Sequence, residues 1–173
     1  VSLLEFLKVN EVTRISLGVQ TFDNNLLKTI GRTHNNEDSL NAIKLIKQFE
    51  FDLSIDLIFN LPGQTKEDLL FDLNTAKGID HISYYSLILE PNTVFEKRIN
   101  KGQLSVPENG DEFFEEVISF LVENGYEHYE ISNFALTHKS KHNLTYWNNE
   151  EYYGVGLASS GYISGTRYAN FHL

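Results

Sequence analysis

Phe51-Asp52-Leu53-Ser54-Ile55-Asp56-Leu57-Ile58-Phe59 is the stretch on which the fold turns. Its apolar set is nearly continuous, which predicts a strand in a sheet covered on both faces. Leu61-Pro62-Gly63 follows as a turn. Thr65-Lys66-Glu67-Asp68 then places a hydroxyl three residues before a carboxylate, the form of a capping box. Leu69, Leu70, Leu73 and Ala76 make the buried stripe of the helix that follows, and Gly78 stops it. A further strand is predicted over His81 to Leu89, closed by Glu90-Pro91.

Upstream the alternation repeats. Arg14 to Gln20 reads as a strand, and Asn24 to Ile30 as a short helix ended by Gly31. Glu37 to Phe49 is amphipathic, with Leu40, Ile43, Ile46 and Phe49 at helical spacing, acids at its start and lysines later. The order is β-α-β-α-β with helices long enough for crossovers, so the strands should run parallel. The pattern changes after about residue 100. Phe113, Phe114, Val117, Ile118, Leu121 and Val122 predict one more amphipathic helix, ended by Gly125. The chain is then aromatic and irregular from Tyr126 to Phe134 and again around His142 to Trp147, and glycine-rich from Gly154 to Gly165.

The chain has 173 residues, a formal net charge of −10, 41% apolar and 22% charged residues. That is the balance of a globular chain able to bury one sizeable core. The acidity argues against a sequence-independent grip on nucleic acid, which needs a basic face. No apolar run approaches a membrane span, and Val1 opens no signal-peptide pattern. There is no cysteine, which excludes disulfides and thiolate metal ligation within these residues. There is no methionine either, and the expectation is an internal piece of a longer protein.

In parallel α/β architectures ligands bind at the carboxyl ends of the strands. Gln20 closes the first predicted strand, Asp56 lies within the second and Asn60 closes it, Ser86 and Glu90 fall in and after the third, and Arg32 follows the short helix. Asp56 is the most informative, because an unpaired buried carboxylate is costly. It meets either an arginine, Arg14 and Arg32 being the candidates, or the hydroxyls of a ligand; spacing does not separate the two. Leu61-Pro62-Gly63-Gln64-Thr65 lacks the spacing of a phosphate loop, and Gly154-Val155-Gly156 precedes no clean helix. His138 and His142 could share a helix face but lack the intervening glutamate of a metalloprotease. His142, beside Tyr146 and Trp147, suits a haem or another flat ring.

Read together, Ile15 to Asp23, Gly31-Arg32 and Asp56 to Thr65 resemble the oxygen-independent coproporphyrinogen III oxidase-like branch of the radical S-adenosylmethionine (SAM) proteins. Glu130-Ile131-Ser132-Asn133-Phe134-Ala135 and His142-Asn143-Leu144-Thr145-Tyr146-Trp147 are similar to its haem chaperone subgroup. The resemblance spans about Val12 to Asn170 and implies an α/β fold. Residues 1–105 would be the later strands of a partial (β/α)6 radical SAM barrel, and residues 106–173 the start of an α+β C-terminal region. It implies a [4Fe-4S] cluster on three cysteines of the first barrel strand, expected upstream of Val1, so that these residues alone make no radical. It assigns Gln20 to the methionine or ribose part of SAM, Arg32 to its carboxylate, Asp56 to the ribose hydroxyls and the backbone at Ile88 to the adenine. His142 would bind haem. The Tyr146-Trp147 ending favours the chaperone subgroup over a coproporphyrinogen III oxidase. Gly156 to Gly161 departs from the subgroup in lacking a histidine. The implied setting is cytoplasmic, with haem or a porphyrin as cargo and a haem-accepting protein as partner.

Overall fold

The computed structural model describes residues 2–89, 91, 93–105, 108 and 110–171. Two compact units divide the chain, Val1–His138 and Lys139–Leu173.

The first unit opens with helix α1 (Ser2–Val9) and strand β1 (Arg14–Gln20), followed by α2 (Asn24–Thr29) and α3 (Asn36–Lys47). Strand β2 (Asp52–Phe59), α4 (Lys66–Ala76) and β3 (His81–Ser86) complete the parallel core. After α5 (Val94–Asn100) and α6 (Gly110–Glu123), the short strands β4 (Glu127–His128) and β5 (Asn133–Ala135) join the same sheet antiparallel. The sheet order is β1-β2-β3-β5-β4, open at both ends. The predicted β-α-β-α-β order and parallel pairing are observed, and the irregular 126–134 stretch contributes the two added strands.

Local chemistry accounts for the helix starts. Asp23 Oδ1 accepts from the backbone N–H of Asn25 and Leu26 at the start of α2. Asn35 with Asp38, and Thr65 with Asp68, form reciprocal capping boxes on α3 and α4.

Two expectations are corrected. The nearly continuous apolar run is split by face: one face of the sheet is polar, although Ser54, His81 and Ser83 on it are buried, as the expected cover on both faces requires. Leu53, Ile55, Leu57 and Phe59 share one face with Val19, Ile82, Tyr84 and Phe134, packed against Ile43, Ile46, Leu69, Leu73, Phe113, Val117 and Leu121 of the helices. Each such side chain withdrawn from water is worth about 1.5–3 kcal/mol. The opposite face carries Ser16, Ser54, Asp56, His81 and Ser83, because residues two apart on a strand share a face. Only Ile58 interrupts that polar series in β2, and with Leu57 and Phe59 beside it the segment looks continuous. The third strand is also shorter than expected. It stops at Ser86, and only the Leu87 N–H still reaches the Phe59 carbonyl, at 2.9 Å. Past Phe59 the chain turns away at Asn60 (φ 62°), which leaves Leu87 to Leu89 without a strand to pair with. Glu90 lies outside the described residues.

The second unit holds α7 (Lys141–Trp147) and the hairpin of β6 (Ser160–Ile163) and β7 (Thr166–Ala169). Ser164 and Gly165 connect the hairpin with positive φ at both positions, the geometry that matches the twist of the strands.

Candidate functional site

Strand register builds a polar row across the first unit. Gly18 pairs with Asp56, Asp56 with Ser83, and Ser83 with Asn133. Asp56 is half-buried, and its Oδ1 accepts from Ser16 Oγ at 3.0 Å. No ion pair to Asp56 exists among the described residues, so neither Arg14 nor Arg32 neutralises it. Gln20 ends β1 in the left-handed region (φ 69°), after a register shift between Gly18 and Gln20. Its side chain folds back over Gly18: a Cβ there would stand 2.7 Å from Gln20 Nε2. Glycine at 18 is what lets the Gln20 amide lie on the row beside Asp56.

Arg32 and Ile88 meet elsewhere on the same unit. Both line a cleft of about 300 Å³ with Ile30, Ile58, Leu61 and Leu87. Ile58 lies two residues after Asp56 on the same strand face and so links row and cleft. Arg32 is exposed, and α2 with Gly31 (φ 75°) carries it to the cleft. Gln20 and Asp56 both adjoin Gly18, Arg32 and Ile88 line one cleft, and Ile58 belongs to both the row's face and the cleft.

The donor set suits an adenosyl sulfonium. A carboxylate with Ser16 as its one described side-chain partner can accept from a diol. The Ile58, Leu87 and Ile88 wall suits a flat base, and a guanidinium at the rim suits a carboxylate. An iron–sulfur cluster finds no ligands here. The chain has no cysteine, and among the described residues no three metal-binding side chains converge.

A second polar chain on this face was not singled out from the sequence. Ser54 Oγ bonds His81 Nδ1 at 2.9 Å, and His81 Nε2 bonds the Tyr129 hydroxyl at 2.8 Å. Burial, and then the Arg14 charge, push His81 down to about 3, so the ring is neutral. Ser83 Oγ donates to Asn133 Oδ1 at 2.6 Å, while Asn133 Nδ2 and the Ser132 N–H both donate to Glu130 Oε1. The only signal in the sequence was the polar alternation of Ser54, Asp56, His81 and Ser83.

Behind the sheet, Asp72 of α4 is fully buried. Burial raises its carboxyl to about 7, against the lowering effect of hydrogen bonds from the Phe22 N–H and the Thr21 hydroxyl. Its charge and burial push the Tyr84 phenol well above its usual range, burial being the larger cause.

In the second unit His142 is exposed on α7, with its Nε2 3.0 Å from the Tyr146 hydroxyl and its ring edge-on to the Tyr146 ring at 4.8 Å. Tyr146 leans in turn on Tyr152 at 4.5 Å, which pairs with Tyr162 of β6. Trp147 is 53% exposed. The shared helix face expected for His138 and His142 is not observed. Ser140 caps α7, so His138 precedes the helix, where its Nδ1 lies 3.5 Å from Asp52.

Comparison with known proteins shows what this architecture is similar to. Residues 1–76 match the family model of the Radical SAM superfamily. Over those residues the chain is similar to that superfamily. Over 97% of its length it is 46% identical to a protein of Lactococcus lactis subsp. lactis (strain IL1403) named Heme chaperone HemW. A protein of the same name from Bacillus subtilis (strain 168) is 47% identical over 96% of the chain. The chain spans 46% of the length of each of these relatives. Among solved structures, the radical SAM enzyme coproporphyrinogen III oxidase (HemN) from Escherichia coli superposes with a TM-score of 0.74 at 22% identity. That superposition covers 92% of this chain and 41% of the other, and it shows a shared fold.

Proposed function

We propose that the protein is a haem chaperone that binds SAM, and that this chain supplies the SAM row and one haem-binding element. The observation that carries the SAM assignment is the Gln20 amide folded over Gly18 beside Asp56. Asp56 accepts hydrogen bonds from the ribose hydroxyls, Gln20 orients the sulfonium end, Arg32 pairs with the amino-acid carboxylate, and Ile88 with Ile58 walls the adenine. With a reduced [4Fe-4S] cluster, SAM supplies one-electron chemistry; the cluster's ligands come from outside these residues. The haem assignment is supported by the high identity to proteins named for that role, and by the exposed His142–Tyr146–Trp147 surface. His142 Nδ1 is the nitrogen left for iron while Nε2 faces Tyr146. No helix among the described residues is long and apolar enough to cross a membrane, and a cytoplasmic setting is part of the proposal.

Two measurements on the full-length protein test this. Asp56→Asn is expected to weaken S-adenosylhomocysteine binding by about tenfold, since a hydrogen bond to a charged group is worth roughly 1.5–3 kcal/mol. Unchanged affinity in calorimetry removes Asp56 from the site. His142→Ala is expected to lower haem affinity and alter the haem absorption band; an identical titration refutes that ligand. Conversion of coproporphyrinogen III under anaerobic conditions would favour the oxidase alternative.

A further inference from the structure

The geometry points to Asp72 as a positioning residue for the SAM site: from the opposite side of the sheet it clamps the turn that aims Gln20 at the row. This rests on the SAM assignment of Gln20.

Gln20 sits at φ 69°, a conformation that side-chain-bearing residues rarely adopt and that costs of order 1–3 kcal/mol unless its surroundings hold it. The next residues supply that hold. The Thr21 N–H reaches back to the Val19 carbonyl at 2.9 Å. The Phe22 N–H donates to Asp72 Oδ1 at 2.7 Å, and Thr21 Oγ1 donates to the same oxygen at 3.1 Å. Thr21 Oγ1 in turn accepts from the Asp23 N–H at 3.1 Å. One carboxylate oxygen thus gathers the two residues that follow Gln20. Thr21 and Asp72 are fully buried, and Phe22 is 1% exposed, so water does not compete for these bonds.

Fold stability alone does not explain a carboxylate at this place. Asp72 Oδ2 is buried with no hydrogen-bond partner, the charges of Asp23 and Asp68 act against its ionised form, and among the described residues no ion pair compensates it. An apolar side chain would pack the same space without desolvating a charge. What Oδ1 does there is fix the backbone beyond Gln20. The amide then already lies over Gly18 before ligand arrives, and less ordering is left to oppose binding.

The test uses the full-length protein, S-adenosylhomocysteine as probe, and calorimetry alongside thermal melting. Asp72→Ala is expected to weaken binding about tenfold. Asp72→Asn keeps an oxygen for the Phe22 N–H and is expected to stay within about threefold of the parent. In a Gln20→Ala background, Asp72→Ala is expected to add less than about a twofold change, because a residue that acts through Gln20 has nothing left to position. Additive losses in that cycle mean a merely structural role and overturn the inference. So does an Asp72→Ala protein that binds like the parent while Gln20→Ala and Asp56→Asn bind weakly; the SAM assignment would survive. If Gln20→Ala and Asp56→Asn both bind normally, the SAM assignment itself falls. Should Asp72→Ala not fold, Thr21→Val removes the bond to Asp72 together with the acceptor of the Asp23 N–H, and is expected to weaken binding about threefold in the same Gln20-dependent way; independence from Gln20 overturns the inference.

Discussion

Gly18 shows how one side chain's absence shapes the site. Its φ is not in the left-handed region, so backbone freedom is not the reason for glycine; space is. The Gln20 amide occupies the volume where a Cβ would be. Gly18→Ala is therefore expected to displace Gln20 from the row and weaken S-adenosylhomocysteine binding by about tenfold or more, with a smaller change in melting temperature. A variant that binds normally would mean that the amide has another place to go. Asp56 could be singled out from its sequence alone, as a carboxylate within an apolar strand. Whether an arginine or a serine met it was not legible, because Ser16 lies 40 residues away and only strand register makes them neighbours.

At the scale of elements, the helix caps were legible and the strand faces were misread. Thr65 to Asp68 is a local pattern with a local energy, and the capping box is observed. Asp52, Ser54 and Asp56 alternate with Leu53, Ile55 and Leu57, so the polar face was present in the sequence, but Ile58-Phe59 gave the appearance of an unbroken apolar run. Two buried groups tie the elements together and respond oppositely to pH. His81, held at about 3 in the fold against 6.5 when unfolded, takes up a proton first in the unfolded chain. Its contribution is present above pH 6.5 and is lost as pH falls toward 3. Asp72, raised to about 7 from 3.8, contributes stability that is full below pH 3.8 and lost as pH rises through 7. Asp72→Asn removes the second effect. In urea unfolding from pH 4.5 to 7.5, its stability relative to the parent is expected to grow with pH by roughly 3 kcal/mol in all, at up to about 1.4 kcal/mol per pH unit below pH 7. A constant difference across that range would show that Asp72 does not titrate there.

At the scale of the whole molecule, the first unit presents an open sheet. β1 is an edge strand with no further partner among the described residues, and Leu3, Phe6 and Val9 of α1 are 63–82% exposed. Unpaired strand edges and apolar helix faces recruit other chains. This chain expressed alone is expected to self-associate, and sedimentation velocity checks it; a single monomeric species would show that the edge is protected. The sequence by itself determined the order of helices and strands, the parallel pairing, and the residues Gln20, Arg32, Asp56, Ile88 and His142 as those to watch. The element order and Asp56 rest on short-range energies, namely periodicity, caps and the cost of charge in an apolar strand; Ile88 and the ligand roles of the others rest on the family resemblance of the motifs. Only the tertiary structure decided that Gln20 lies over Gly18, that Arg32 and Ile88 share a cleft, and that Asp72 and His81 hold partners about 50 residues distant. Such neighbours are set by strand register and by how helices seat on the sheet, and no local stretch of sequence carries that information.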